Sequence, residues 1–275
     1  MNVEKANIDF EALNKVHSRV VISGENINKA FGKRTIFNNA EFEVFSGAKV
    51  ALIGDNGCGK TTLIKMILND KEKIKISKAL EIGYFSQDLS ILDESKTVLY
   101  NVMKTSVYDE AFARLILSRL LFKREDVYKE VSVLSGGERV KLSFAQMILT
   151  GSNMLILDEP TNYLDLYSIE ALEEVLKDYA GTVLFVSHDR KFIKKVATDI
   201  FTIKNHKINT FRGNYDDYLK FINKPKDVNV SAKNEKMILE NKLSEIIGSF
   251  LCLKKMMIFK NWMRSTKGFS KGLEK

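Results

Sequence analysis

Cysteine, histidine and long apolar runs are scarce in this 275-residue chain. The two cysteines, Cys58 and Cys252, cannot build the disulfide framework of a small secreted protein, so a reducing cytoplasm is expected. The three histidines, His17, His188 and His206, lack metal-ligand spacing, and no zinc site is expected. No stretch approaches the roughly 18 apolar residues of a membrane helix, and the N-terminus lacks the apolar core of a signal peptide. Insertion into a membrane is therefore not expected.

The positive charge of the chain is concentrated at its C-terminal end. The net charge is +8, and from Leu251 onward seven Lys or Arg residues stand against one acid, Glu274. That segment contributes +6, which leaves +2 for the rest of the chain. Lysines in a tail are more often a solvated end than a binding surface. The charge balance alone therefore does not indicate a nucleic-acid partner.

Residues 49–62 carry the most informative pattern, Lys-Val-Ala-Leu-Ile-Gly-Asp-Asn-Gly-Cys-Gly-Lys-Thr-Thr. Residues 49–53 are rich in β-formers, and 61–68 have the apolar spacing of a helix. The segment between them matches the P-loop, whose amides and helix N-terminus direct partial positive charge toward a polyphosphate. The chain is therefore predicted to bind a nucleoside triphosphate, with Lys60 on the β- and γ-phosphates and Thr61 on a magnesium ion. The predicted binding residues are Gly54, Asp55, Asn56, Gly57, Cys58, Gly59, Lys60, Thr61 and Thr62.

Two further apolar segments end in polar side chains that suit phosphate chemistry. Residues 154–157 are predicted to form a buried strand before Asp158, which would hold Mg²⁺ through water, and Glu159, which would polarise the attacking water. The alternative is that both acids are solvated at the end of a strand. That alternative would account for one carboxylate, but it accounts poorly for two beside a P-loop. Residues 182–187 are predicted to form another strand, and they lead to His188 at the edge where α/β sheets bind ligands. The alternative for this histidine is an ordinary surface position.

No strand is predicted between about residues 90 and 150, so this region is interpreted as a helical insertion in an α/β chain. It contains residues 134–139, Leu-Ser-Gly-Gly-Glu-Arg, followed by an amphipathic helix. Ser135 with Gly136 and Gly137 at a helix start can form a second anion-binding site. Taken alone, the motif favours a plain helix N-cap.

Two more residues are candidates for the site because of where the predicted strands end. Phe31 lies between predicted strands at 20–23 and 35–45. Its ring would either stack on adenine or pack in the core, and the sequence favours neither alternative over the other. Gln87 lies in a turn after the predicted strand 80–85.

Together these motifs resemble those of the ATP-binding cassette (ABC) superfamily over roughly residues 20–222. The resemblance implies an α/β fold: a P-loop ATP-binding cassette domain with a mainly parallel core sheet, an antiparallel β subdomain and a helical signature subdomain, plus a C-terminal helical tail. It also implies ATPase activity, with ATP and Mg²⁺ as cofactors. By position the resemblance implies catalytic roles for Glu159, His188 and Gln87, and magnesium contacts from Thr61, Gln87 and Asp158. It also implies a D-loop that ends at Asp165. The implied signature, which acts on the ATP of an opposite cassette, consists of Leu134, Ser135, Gly136, Gly137 and Glu138.

Within the superfamily the chain resembles the ABC-F class of soluble translation factors. The segments that carry this resemblance are 159–165, 187–190 and 211–218, and those at 82–87 and 120–128 resemble the antibiotic-resistance branch that protects the ribosome. The resemblance implies a ribosomal partner (rRNA and tRNA). A second interpretation is the ATP-binding subunit of a transporter, whose helical insertion docks a separate permease. A third is a non-enzymatic remnant that binds nucleotide or pairs with another cassette.

The chain departs from the ABC-F pattern because that class carries two cassettes joined by a long helical linker. This sequence has one cassette and resembles the second. Residues 1–19 would be the end of the linker, 20–222 the cassette, 223–234 a further linker, and 235–275 a C-terminal helix with a basic tail. Because the family pairs one cassette's P-loop with another's signature, a complete site needs a second cassette, either a second copy or a separate chain. The isolated chain is expected to bind ATP and hydrolyse it weakly.

The composition changes again near the C-terminus. From Phe250 onward acids nearly vanish, while Trp262 and three methionines (Met256, Met257, Met263) appear. Aspartate codons followed by isoleucine, read one base late, give Met-Ile, as at 257–258. The hypothesis is a frameshifted or truncated gene product. Coding DNA whose alternate frame after about codon 250 yields no charged helical continuation would contradict it.

Overall fold

The computed structural model describes residues 19–70, 73–85 and 91–224. Contacts along the chain divide it after Ile222, and almost all described residues belong to the first unit. The predicted incoming linker, Gln87 and the proposed frameshifted tail lie outside the described residues.

The described residues form nine strands and seven α-helices, with a wholly helical stretch between β5 and β6. The strands are β1 (Val20–Phe31), β2 (Arg34–Phe45), β3 (Lys49–Ile53), β4 (Ile74–Ile76), β5 (Ile82–Phe85), β6 (Met154–Asp158), β7 (Thr182–Val186), β8 (Asp199–Lys204) and β9 (Lys207–Arg212). The helices are α1 (Lys60–Asn69), α2 (Val98–Met103), α3 (Glu110–Arg119), α4 (Gly136–Leu149), α5 (Leu166–Asp178), α6 (Arg190–Val196) and α7 (Tyr215–Asn223), with short 3₁₀ turns at Asp126–Tyr128 and Val131–Val133.

The predicted fold class is confirmed. A core sheet has the order β5-β6-β7-β3-β8-β9, in which all pairs are parallel except β8 with β9. A smaller antiparallel sheet has the order β2-β1-β4. The part of the chain described between residues 91 and 150 is helical, with a single isolated bridge from Thr97 to Glu130. None of the described helices is long and apolar enough to cross a membrane.

Strands β3, β6 and β7 are nearly continuous apolar runs because both of their faces are buried. Alternate side chains of β3 point to opposite sides, so that Val50 and Leu52 join one apolar cluster and Ala51 joins the other. The first cluster contains β1, β2 and α1, and the second contains helices α2 to α6. The P-loop strand is thereby held from both sides.

Parallel strands place their carboxyl ends at one edge of the sheet, and this edge collects the predicted site residues. β3 lies between β7 and β8, and β6 lies beside β7. The segments that leave this edge are therefore the loop after Ile53, the pair Asp158 and Glu159, and the turn at His188. This is the position at which open α/β sheets bind their ligands.

Two helices, α3 and α6, differ from the sequence prediction, and α4 begins where a helix start was predicted. Helix α4 begins at Gly136, because Ser135 and Glu138 form a capping box that outweighs the low helix propensity of two glycines. The sequence pattern predicts a helix over residues 109–122, but α3 ends at Arg119, and Leu121 has a left-handed backbone (φ 66°). Helix α6 was not predicted, although Asp189 caps its N-terminus by accepting from the amides of Lys191 and Phe192.

Lys49 is a buried cation at the start of β3, with 6% of its surface exposed. Its Nζ donates to the carbonyl oxygens of Tyr179 and Gly181, both at 2.5 Å, and lies 5.1 Å from the centre of the Tyr179 ring. Burial lowers the pKa of Lys49 from 10.5 to about 8. The side chain ties the P-loop strand to the turn between α5 and β7.

This burial predicts a pH-dependent stability. Between pH 8 and 10.5 the unfolded chain binds the Lys49 proton more tightly than the folded chain does, so the free energy of unfolding rises with pH across this window. The rise attributable to Lys49 is roughly 3 kcal/mol. Urea unfolding at a series of pH values should show this rise in the wild type and lose it in Lys49→Met. The exposed Lys75→Met variant is the control, and parallel curves for wild type and Lys49→Met would contradict the assignment.

Candidate functional site

The loop after β3 depends on glycines in left-handed conformations. Gly57 has φ 74°, and Gly59, the N-cap of α1, has φ 119°. A Cβ atom at Gly59 would lie 2.6 Å from Cγ2 of the buried Ile36. The turn therefore brings the N-terminus of α1 against the β1–β2 sheet in a way that a larger residue would prevent.

Lys60 is the first residue of α1, and its ammonium group lies within the loop. Its Nζ donates to the carbonyl oxygens of Gly54 at 2.8 Å and Asp55 at 3.2 Å. A cation held by neutral carbonyls at a helix N-terminus is well placed to exchange them for phosphate oxygens. The role of Lys60 on the β- and γ-phosphates stays a prediction.

Asp158 and Thr61 are brought together from different elements. Asp158 ends β6, Thr61 lies in the first turn of α1, and the Thr61 hydroxyl donates to the Asp158 carboxyl group. Burial raises the pKa of Asp158, while the Thr61 hydrogen bond and the charges of Lys60 and Lys65 oppose that rise. A hydroxyl and a carboxylate meeting at the mouth of a phosphate loop are the oxygen ligands that Mg²⁺ prefers. These two residues therefore fit the predicted magnesium ion, while Gln87 lies outside the described ranges.

Glu159 and His188 also meet, although they are 29 residues apart. The Glu159 carboxylate accepts from the backbone amide of His188 at 3.3 Å, and its other oxygen lies 3.3 Å from His188 Nε2. The Glu159 side chain is 18% exposed and that of His188 is 61% exposed. Glu159 has a left-handed backbone (φ 53°) and donates its amide to Val186 O at 3.0 Å. Such a conformation is unfavourable for a non-glycine residue and is found preferentially at functional sites.

Phe31 is not a core residue, because 58% of its surface is exposed at the end of β1. It lines an open depression of about 670 Å³ that continues along α1. Lys29 Nζ lies 5.5 Å from the centre of the Phe31 ring. The lining consists of Lys29, Phe31, Thr61, Thr62, Lys65, Met66, Asn69 and Asp70. An aromatic face beside the first turn of α1 is suited to stack on a nucleotide base.

The signature residues lie at the start of α4, and none of them lines this depression. Ser135 Oγ accepts from the Glu138 amide at 3.3 Å and donates to Glu138 Oε2 at 2.7 Å, and the Ser135 amide donates to the same oxygen at 2.8 Å. These hydrogen bonds lower the pKa of Glu138. Leu134 is buried, whereas a Cβ atom on Gly136 would meet nothing within 4 Å. The N-cap interpretation of Ser135 is therefore confirmed, and the face beside Gly136 is open.

The predicted D-loop packs against this helix start. A Cβ atom on Gly137 would lie 2.9 Å from the carbonyl oxygen of Tyr163. Asp165 caps α5 by accepting from the Ser168 amide at 2.7 Å, and this hydrogen bond lowers the pKa of Asp165. Three apolar side chains of this segment are strongly exposed: Tyr163 (75%), Leu166 (61%) and Tyr167 (75%).

Comparison with known proteins agrees with this geometry. Residues 37–162 match the sequence model of the ABC transporter family. This chain contains an ABC-type ATP-binding domain. Homologous domains of the family are ATPases.

The curated relatives of the ABC domain include proteins of bacteria and a plant. The protein named YbiT of Escherichia coli O157:H7 is 39% identical over 220 residues, which is 78% of this chain and 41% of that protein. ABC transporter F family member 5 of Arabidopsis thaliana is 35% identical over 234 residues, 82% of this chain and 33% of that protein. The ATP-binding protein Uup of Haemophilus influenzae is 40% identical over 210 residues, 72% of this chain and 32% of that protein. The chain thus spans well under half the length of these relatives.

A solved structure shares the fold. A chain from an inward-facing ABC transporter superposes on the ABC domain with a TM-score of 0.59 and 24% identity, covering 70% of this chain and 83% of that chain. At this identity the likeness concerns the fold alone.

The sequence analysis missed one residue that contacts the phosphate loop of the ABC domain. Arg34 Nη2 donates to the Gly57 carbonyl oxygen at 2.7 Å. No motif includes Arg34, because the contact depends on the register of the β1–β2 hairpin, in which Arg34 pairs with Phe31.

The same substitution, glycine to alanine, is expected to change the free energy of unfolding differently at two positions of the ABC domain. Gly59→Ala forces a side chain into a left-handed position and against Ile36, so it should lower the free energy of unfolding by more than about 1 kcal/mol. Gly136→Ala enters open space at a helix start and should leave that free energy unchanged or raise it by about 0.5–1 kcal/mol. Urea unfolding of the two variants measures the difference, and equal losses would contradict this interpretation of the loop.

Proposed function

We propose that this chain is the second ATP-binding cassette of an ABC-F protein, which binds MgATP and hydrolyses it when it pairs with another cassette. The observation that carries the ATPase part is the meeting of Glu159 and His188 at the sheet edge from which the P-loop and Asp158 also emerge. The cytoplasm is the compartment proposed for this activity.

The site residues support a hydrolysis in which water attacks the γ-phosphorus. The P-loop amides and Lys60 hold the phosphates, and Thr61, Asp158 and Gln87 would hold Mg²⁺, which when bound neutralises charge on the β- and γ-phosphates. Glu159 orients and polarises the attacking water through its carboxylate, and His188 fixes that carboxylate. The bond from the γ-phosphorus to the bridging oxygen breaks, giving ADP and phosphate.

Phe31 supplies the platform for the base in this proposal. Its exposed ring lies in the same depression as Thr61 and Thr62 of the P-loop helix. Stacking on an aromatic face accepts any purine, so the preference for adenine comes from the resemblance to the ABC superfamily.

A second cassette is part of the proposal because, in the superfamily that this chain resembles, the signature acts on the ATP of an opposite cassette, and no signature residue lines the depression beside α1. The Gly136 face is open, and the apolar side chains of Tyr163 in the adjacent D-loop and of Leu166 and Tyr167 at the start of α5 are exposed. Exposed apolar side chains grouped in this way are typical of a surface that binds another protein. We propose that a second cassette covers them and places its ATP against Ser135, Gly136 and Gly137.

The ribosome is the proposed target because of the ABC-F resemblance. That resemblance rests on segments 159–165 and 211–218, and the Arabidopsis relative is named as an F family member. Ribosome protection against antibiotics is a narrower form of the same proposal and rests on 82–87 and 120–128. Action as a transporter subunit is the competing function, supported by the family description.

A mixture of two inactive variants tests the paired site. Lys60→Ala removes the phosphate contact, and Gly136→Asp places a charge in open space opposite the partner's phosphate without disturbing the helix start, where acids are favourable. Each variant alone should lose ATPase activity by about tenfold or more. If two copies pair, the mixture has one intact site in half of its dimers and should recover about a quarter of wild-type activity.

The control for this experiment is Gly136→Ala, which adds no charge. A mixture without recovery would contradict a second copy as the partner. Specific activity that does not fall when the wild-type protein is diluted would contradict the paired site itself.

Co-sedimentation tests the ribosomal target. Glu159→Gln keeps the shape of the side chain and removes its charge, so it should hold ATP and the closed state. This variant should pellet with ribosomes at least about fivefold more with ATP than without it. Lys60→Ala is the matched control and should not respond to ATP. Equal pelleting with and without ATP would contradict the ribosomal proposal, and ATP-dependent binding to membrane vesicles instead would favour the transporter function.

A further inference from the structure

The turn between β1 and β2 fixes Phe31 and Arg34 as a pair. Gly32 and Lys33 form the turn, Gly32 has a left-handed backbone (φ 58°), and Phe31 and Arg34 face each other at the end of the hairpin. Directly opposed residues of antiparallel strands lie about 4.5–5.5 Å apart at their Cα atoms. Whatever restrains Arg34 therefore also restrains the backbone that carries the Phe31 ring.

Arg34 is restrained by the phosphate loop. Its Nη2 donates to the Gly57 carbonyl oxygen at 2.7 Å, across 23 residues of sequence. A Cβ atom at Gly57 would lie 3.0 Å from the same nitrogen, so the guanidinium group packs directly on the loop backbone. A hydrogen bond from a cation is stronger than one between neutral groups.

This hydrogen bond joins the two halves of the nucleotide site. On one side is the Phe31 ring, which shares its depression with Thr61 and Thr62, and on the other is Gly57 within the P-loop. The distance from the base to the phosphates of a nucleotide is set by the ribose between them. A site that grips both ends gains affinity when its two halves are held at that spacing in advance.

We propose that Arg34 is a positioning residue that holds the Phe31 platform at the distance from the P-loop that a nucleoside triphosphate spans. The inference rests on the proposed role of Phe31 as the base platform. The Arg34 guanidinium group donates its hydrogen bond to a backbone carbonyl of the loop. Arg34 therefore acts through the placement of Phe31 and not through contact with phosphate. Loss of Arg34 should therefore weaken binding of ATP and spare binding of a triphosphate that has no base.

The test compares ATP with magnesium tripolyphosphate as ligands of the full chain, by calorimetry. In Arg34→Met the dissociation constant for ATP should rise about five- to tenfold, while that for tripolyphosphate should stay within about twofold. Lys33→Met, which removes the same charge from the adjacent exposed turn position, is the matched control and should change neither. Arg34→Lys retains a donor and should recover part of the ATP affinity.

The double variant Phe31→Ala with Arg34→Met separates positioning from direct contact. If Arg34 acts through Phe31, the double variant should bind ATP no more weakly than Phe31→Ala alone. Thermal unfolding of each variant checks that the fold is intact, and both substitutions are at exposed positions.

Each of the other possible outcomes overturns either the inference about Arg34 or the base platform of the proposed function. Equal weakening of ATP and tripolyphosphate in Arg34→Met would make Arg34 a phosphate ligand and overturn the inference. Unchanged ATP binding in Arg34→Met, with weakened binding in Phe31→Ala, would overturn the inference and leave the proposed function intact. Unchanged ATP binding in Phe31→Ala would overturn the base platform in the proposed function and the inference with it.

Discussion

The burial of strand β3 between β7 and β8 is the constraint on which the rest of this structure depends. Both faces of β3 are covered by apolar clusters, and Lys49 fastens its start to the turn before β7. A strand fixed in this way delivers the glycine loop to one place at the sheet edge. The same edge receives the ends of β6 and β7, and the contacts of Thr61 with Asp158 and of Glu159 with His188 follow from that shared edge.

The glycine loop also links the two sheets. Gly59 lets α1 start against Ile36 of β2, and Arg34, two residues earlier in the same strand, holds Gly57. The small antiparallel sheet is thus more than a cover for the core, because it contacts the loop at two of its glycines. This arrangement explains why the exposed ring of Phe31 lies near the start of α1 without belonging to the core.

Much of this architecture could be read from the sequence, and the failures have physical causes. Strands β3, β6 and β7 were predictable because burial on both faces leaves continuous apolar runs. The start of α4 was predictable from Ser135, which the structure shows as the N-cap, whereas the short helix α6 (Arg190–Val196) was missed. The contact of Arg34 with the loop was invisible, because it follows from hairpin register and not from spacing along the chain.

The left-handed backbone of Glu159 has a consequence for how this sequence can change. Glycine would occupy that position with less strain, yet it would lack the carboxylate that meets His188. A substitution chosen only to raise the free energy of unfolding would therefore remove the carboxylate that the proposed hydrolysis uses.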